Sequence, residues 1–429
     1  MNPIQRHPGR GRGNGPRRAL PVLAAVLLAG ACGSLLDVEA PSRIPAEALD
    51  DPATAPLLLN GAIGEFECAL GSYVVMGGMV GDELVDATQT ADRWPYDRRD
   101  VQPTDRRYGE FGCTALGVYT PLSTARWTTE SVLAKLQGWT DAQVAGRAGL
   151  IATAAAYSGY AHLLLGEGFC SGVLLDGSLA PGGEATRADV LGRAVDRFGL
   201  AITTAQAASN ADILNMALVG RARARLDLGD RAGAAADARL VAANYVKNAT
   251  ASTLASRREN RVFEQNNQAQ AVTIGPAYRN LTFGGVADPR VRVTDTGRNA
   301  TDGNRIWAQN KYSGLATAIP IATWDEAQLI IAEAEGGQTA VGIINMFHTR
   351  AGLPAFASTD AAAIRNQVIE ERRRELFLEG HHLGDVIRYN LALTPATGTA
   401  FPKGGTYGST TCLPLPNVER LNNPNFPRT

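Results

Sequence analysis

The chain has 429 residues, 45% of them apolar and 19% charged, which is ample for a sizeable core and typical of a folded globular protein. Its 41 Lys and Arg stand against 42 Asp and Glu, a formal net charge of −1. That balance excludes a general field for gathering nucleic acid or an anionic surface, so any acidic ligand needs a local cluster of cations.

The N-terminus is the most informative short segment. Arg6, Arg10, Arg12, Arg17 and Arg18 precede an apolar run over 19–28, then the small residues Ala29, Gly30 and Ala31, and then Cys32. This order is that of a secretory signal peptide, and the apolar run is too short for a bilayer core that needs roughly 20 residues. The stretch LAGAC reads as a lipobox, so residues 1–31 are expected to be removed and Cys32 to become the lipidated first residue. Several acyl chains on one residue anchor a protein firmly. No later stretch has the roughly 18 uninterrupted apolar residues of a spanning helix, so the remainder is expected to lie outside the bilayer.

The other four cysteines are Cys68, Cys113, Cys170 and Cys412. In an oxidising compartment they predict two disulfides, with three pairings possible. Cys68–Cys113 and Cys170–Cys412 are favoured. The first ties the flanks of one irregular region, and the second staples the chain's end to an early helix. There is no CxxC spacing, which argues against a metal or redox role.

Residues 33–50 read as an extended lead. Asp51-Pro52 opens a helix through Leu57, Leu58, Ile63 and Phe66, and 71–114 reads as loop, rich in Gly, Asp and Arg. Helical periodicity returns over 122–136 and 144–165, where Ala154, Ala155, Ser158 and Ala161 alternate with Tyr157, Tyr160 and Leu164. Such small-residue faces suit closely packed antiparallel helices. A helix beginning near Thr186 closes within 199–210. The run 212–246 then places Gly220, Ala224, the Gly229-Asp230 turn, Ala235 and Ala238 at tetratricopeptide-like offsets. A helical-hairpin core over about 120–250 is therefore expected, followed by an irregular insertion over about 250–320. That insertion holds Asn266-Asn267, Gly284-Gly285, Asp288-Pro289 and Gly303-Asn304, with short strands near 271–274 and 291–293. Helices resume at 324–335, 340–351 and 360–379, and the final stretch is rich in Pro and Gly. No boundary is clean enough to divide residues 32–429 into two domains.

Four ordered segments carry a family resemblance. They are EAQLIIAEAE at 326–335, NMFHTRAGLP at 345–354, QVIEERRRELFLEGHHLGDVIRYN at 367–390 and PLPNVERLNNP at 414–424. Together they resemble the signature elements of the SusD/RagB family. His382, Thr323 and His348 stand where that family usually has Arg. The resemblance implies a mostly α, SusD-like fold of tetratricopeptide-type hairpins, with long irregular loops and few short strands. It also implies a cell-surface lipoprotein that captures glycans, oligosaccharides or peptides. Such a protein needs no cofactor and passes its ligand to a SusC-like TonB-dependent transporter of the outer membrane. The competing reading is a tetratricopeptide-type lipoprotein scaffold for envelope assembly.

Within 367–390, Glu370 and Glu371 are both spaced to pair with Arg374, Gly380 is placed to end the helix, and Asp385 and Arg388 extend the ion pairs around the turn. His381-His382, beside Glu379 and Asp385, reads as a packed turn rather than a metal site, since HExxH is absent. GxSxG, GxxxxGK[ST] and GxGxxG are also absent, and the clustered acids neighbour arginines, so the chain is not read as an enzyme. The ligand candidates are the loop aromatics Trp94, Tyr96 and Tyr108, with Trp307 and Tyr312 beside Asn304, Arg305 and Asn310. Aromatic faces stack on sugar rings while amides and guanidiniums meet the hydroxyls. The plainer reading is that these rings pin long loops to the helical body.

Overall fold

The structure is a computed structural model that describes residues 49–427. The signal segment 1–31, Cys32 and most of the extended lead lie outside those residues.

The Asp51 carboxylate accepts a hydrogen bond from the Ala53 amide at 2.9 Å, and the capped turn runs into α1 (Ala55–Val80). The loop expected from residue 71 onward is corrected here, because α1 continues to Val80 and is buried throughout its last two turns. Gly77 faces Leu383, and Gly78 lets Leu84 approach closely; a Cβ on Gly78 would lie 3.1 Å from the Leu84 side chain. Burial on several sides outweighs a helix penalty of about 1 kcal/mol per glycine. Two short helices follow, α2 (Trp94–Arg98) and α3 (Arg106–Glu110).

The centre of the molecule is a series of antiparallel helices: α4 (Tyr119–Gly138), α5 (Arg147–Gly168), α6 (Arg187–Ala207), α7 (Ala211–Asp227) and α8 (Arg231–Ala238). Their starts follow from local chemistry. Thr186 and Asp189 form a reciprocal capping box for α6, and the side chains of Asn210 and Asp230 cap α7 and α8. Phe198 of α6 is wedged between Gly159 of α5 and Gly220 of α7; a Cβ on Gly159 would come within 2.6 Å of its ring. The helices meet where side chains are missing. By length and composition α5 is the one helix among the described residues able to cross a membrane, but its neighbours enclose most of it, as suits a core helix.

Strands occur only as antiparallel pairs among the described residues. β1 (Leu84–Asp86) pairs with β5 (Val272–Ile274), and β2 (Ser171–Leu175) with β3 (Pro181–Thr186). β4 (Val246–Ala249) pairs with β10 (Ile319–Thr323), β6 (Thr282–Phe283) with β7 (Val286–Ala287), and β8 (Val293–Asn299) with β9 (Arg305–Gln309). The strand expected at 291–293 thus begins at Val293 and runs on.

The C-terminal part adds α9 (Trp324–Glu335), α10 (Gly337–Ala351), α11 (Ala361–Glu375), α12 (His382–Tyr389) and α13 (Asn417–Asn422). α11 stops at Glu375 rather than continuing to 379, and Gly380, with φ +82°, belongs to the turn beyond it. Arg374 reaches Glu370 at 3.1 Å but not Glu371, and its second partner is Asp288 at 2.9 Å. Glu371 instead binds Arg290 of the insertion and lies 2.9 Å from His348 Nε2. For Glu371, the expected pair with Arg374 lost to long-range partners. Arg388 joins Asp385, Glu333 and Asp227 at 2.6, 2.6 and 2.7 Å, and Arg372 adds a 2.8 Å contact to Asp385. Burial alone raises the Asp385 carboxyl's pKa, but Arg372 and Arg388 outweigh it and hold the value at about 2. Buried pairs of this kind contribute more to register than to net stability. The disulfides are Cys68–Cys113 and Cys170–Cys412.

Candidate functional site

The candidate site is assembled from segments far apart in sequence. β1 and β5 form its base, with Thr273 opposite Val85. β9 joins them through a side chain: the Thr273 hydroxyl donates to the Arg305 carbonyl at 2.9 Å and accepts from the Trp307 amide at 2.8 Å. Amides complete the join. Asn266 Nδ2 donates to the carbonyls of Val272 and Trp307 at 2.9 and 3.0 Å, and Asn266 Oδ1 accepts from the Gln309 amide at 2.7 Å. Asn267 and Gln309 then exchange two more bonds, at 2.9 and 2.6 Å. The Asn266-Asn267 pair, which read as a loop signal, is a zipper.

Asp86, at the end of β1, is fully buried and gathers the surrounding loops. Its carboxylate pairs with Arg93 at 2.8 Å and with Lys403 at 2.9 Å, and Lys403 also reaches Asp302 at the tip of the β8–β9 hairpin, at 2.8 Å. The Asp86 amide donates to Asp97 at 3.1 Å. Burial pushes the Asp97 carboxyl up to about 7 against that hydrogen bond.

Trp94 and Trp307 flank this base, both half-buried. The Trp94 indole N–H donates to the Thr88 carbonyl at 3.3 Å, and its ring packs on Phe401 with centroids 6.4 Å apart. The Arg279 guanidinium covers the Trp307 ring at 5.2 Å and is held in place by the Ile274 carbonyl. Trp94 is thus tied to the segment after β1, and Trp307 to β5 through Thr273 and Arg279, with part of each residue open to solvent.

The tyrosines are different, and the expectation that they offer rings to a ligand is corrected. Tyr96, Tyr108 and Tyr312 are 2%, 1% and 3% exposed. Their hydroxyls donate to the carbonyls of Leu116, Pro414 and Leu378 at 2.8, 3.1 and 2.9 Å. They pin loops, as buried tyrosines with satisfied hydroxyls do. Reading the sequence missed Asp86, Arg93, Lys403, Phe401 and Arg279, none of which stands out by spacing or type.

His381 and His382 are buried. His381 Nδ1 lies 3.7 Å from Glu326, and His382 Nε2 lies 3.7 Å from Asp82. Among the described residues, no group of three or more His, Cys, Asp or Glu is placed to hold a metal ion.

The comparisons agree on the fold. The sequence model of the SusD family matches residues 326–412. A SusD-like carbohydrate-binding protein of Bacteroides vulgatus superposes with a TM-score of 0.67 at 15% identity, covering 88% of this chain and 97% of its own. Over residues 326–412 the chain matches the SusD family, and its fold is SusD-like. A SusD superfamily protein of Parabacteroides distasonis superposes at 0.66 with 13% identity, over 88% of this chain and 98% of its own. A SusD-like carbohydrate-binding protein of Bacteroides fragilis gives 0.61 at 16% identity, over 87% and 99%. No curated protein sequence matches the chain. The SusD match begins in α9 and ends in the C-terminal loops, so it covers the ion-paired turn and the Phe401–Lys403 flank of the site.

Proposed function

We propose that this SusD-like protein is a glycan-capture lipoprotein of the cell surface. It is anchored to the outer membrane through Cys32 after removal of residues 1–31. It binds oligosaccharide non-covalently, without catalysis or cofactor, and delivers it to a SusC-like TonB-dependent transporter. The observation that carries this reading is the pair of half-buried indoles, Trp94 held by the segment after β1 and Trp307 held by β5. Rigid aromatic surface beside exposed polar groups suits the apolar face and hydroxyl rim of a sugar. Two of the structural neighbours carry carbohydrate binding in their names, which supports the same reading.

The test is calorimetric titration of the protein with a glycan panel and a peptide panel. The expected result is saturable glycan binding with no product, weakened about tenfold, or about 1.4 kcal/mol, by Trp94→Ala or Trp307→Ala. Unchanged affinity in both variants removes the site assignment. Failure to bind any glycan, with a stable envelope-protein complex instead, favours the assembly scaffold. Fractionation of Cys32→Ser tests the anchor: a variant still held in the outer membrane refutes it.

A further inference from the structure

Next to the aromatic face is a cavity of about 190 Å³ whose walls include Arg99, Leu391, Leu393, Ala396, Ser409 and Thr411. The two are linked through stacked side chains. The Arg99 guanidinium sits 4.9 Å over the Tyr407 ring, Tyr407 meets Phe401 edge-on at 5.2 Å, and Phe401 packs on Trp94.

Three features meet at Arg99, the first two of which it shares with Arg126. It is 3% exposed, and among the described residues it has no ion pair, although most buried arginines of this protein have one. Its Nη2 donates to the Pro395 carbonyl, but its Nε is buried without a partner. Its backbone is left-handed at φ 55°, a conformation that ordinary side chains adopt only when the surroundings impose it. Gly408 imposes it in part, since it packs against the Arg99 carbonyl so closely that no Cβ fits.

The carboxylates whose field Arg99 feels are those of Asp82 and Asp97. Each is engaged elsewhere. Asp82 accepts from the Thr394 amide at 3.0 Å and faces His382, while Asp97 accepts from the Asp86 amide. A guanidinium buried without its own counter-charge is costly, and a ligand anion removes that cost. The hydroxyls of Ser409 and Thr411 make no hydrogen bond to the protein among the described residues. Leu391, Leu393 and Ala396 give the wall an apolar side, and the Thr397 hydroxyl beside them is spent on the Gly408 carbonyl at 3.0 Å.

We propose that this cavity is a subsite for the carboxylate of an acidic sugar, a uronate at one end of the captured oligosaccharide. The proposal rests on the glycan-capture reading and sharpens it. The Arg99 guanidinium and the Ser409 and Thr411 hydroxyls donate to the carboxylate, while the leucines and Ala396 take the C–H face of the ring. The volume is below the roughly 300–1,000 Å³ of sites that enclose a whole drug-sized ligand, so the cavity takes one sugar while the rest of the chain lies across Trp94.

The test titrates the full chain with trigalacturonate, with its neutral methyl triester and with triglutamate, in wild type and in three variants. Arg99→Gln removes the cation. Ala396→Phe fills the cavity and keeps Arg99, so it guards against misfolding of the first variant. Trp94→Ala probes the aromatic face. The expected result is at least tenfold tighter binding of trigalacturonate than of the ester by wild type. Arg99→Gln and Ala396→Phe collapse the two affinities onto one another, and Trp94→Ala weakens both sugars alike. Equal wild-type affinity for acid and ester overturns the subsite, as does a preference that survives in both cavity variants. Triglutamate binding as tightly as trigalacturonate overturns the assignment to a sugar. If the ester binds through Trp94 but the acid has no advantage, glycan capture stands and the subsite alone falls. If neither sugar binds, both fall.

Discussion

The Lys403 ammonium lies 2.9 Å from the Asp86 carboxylate, joining residues 317 positions apart in the chain. The same ammonium reaches Asp302, whose side chain is 1% exposed, so one cation holds β1, the β8–β9 hairpin and the C-terminal loop together. Lys403→Met leaves Asp302 buried without its cation, and breaking a buried pair in this way costs about 3–5 kcal/mol. The expected outcome is a lower urea midpoint with an unchanged slope, since the folded core stays as large. A variant as stable as wild type shows that the loops are held by something else.

Gly159→Ala and Gly220→Ala each push a methyl group into the ring of Phe198. Overpacking in a well-filled core costs about 1–3 kcal/mol. Combining either change with Phe198→Leu should recover part of the loss, because the two sites share one contact. Additive losses in the double variants would show that the wedge is not what limits helix approach.

His162 is buried on α5, with Nδ1 2.9 Å from the Ser158 carbonyl and Glu130 3.9 Å away. Burial lowers its pKa to about 4, against the opposing pull of Glu130. A histidine whose folded pKa is depressed binds fewer protons folded than unfolded. Its stabilising effect is complete above the unfolded value of about 6.5 and is lost as pH falls through about 4. The whole swing is about 3 kcal/mol, at about 1.4 kcal/mol per unit. His162→Gln should flatten the pH profile of the unfolding free energy between those limits. A profile identical to wild type removes His162 as its source.

Tyr96→Phe and Tyr312→Phe each delete a buried hydroxyl and leave a carbonyl, of Leu116 or Leu378, short of a donor. A loss of about 0.5–1.5 kcal/mol in stability is expected from each. Glycan affinity should not move, since neither ring faces solvent. An affinity change larger than the stability change would return the tyrosines to the ligand.

The helical body and the signature turn were legible because their cues are local. Alanine-rich periodicity, the Gly229-Asp230 turn and the ordered segments from 326 onward need no knowledge of distant partners. The last turns of α1 were not legible, since Gly77 and Gly78 look like loop residues until Leu383 and Leu84 are seen against them. Glu371 likewise chose Arg290 and His348 over Arg374, which spacing along a helix cannot reveal. The site was the least legible part. Trp94 and Tyr96 lie two residues apart on α2, yet one ring is half open and the other sealed. Position on the folded surface, not residue type, separates them.

The C-terminal end of α5 is completed by residues from near the end of the chain. The Leu413 amide donates to Gly168 at 2.8 Å, the Cys170 amide donates to Leu413 at 2.9 Å, and the Cys170–Cys412 disulfide covers the join. The central helix of the core is thus left unfinished until almost the whole polypeptide has been made. Closure so dependent on distant contacts is slow. On the cell-surface reading proposed above, that slowness suits export: the nascent polypeptide stays loose enough to pass a secretion channel and locks only on the far side. A copy cut short before Cys412 would remain open there, with its core exposed to the proteases that clear failed products.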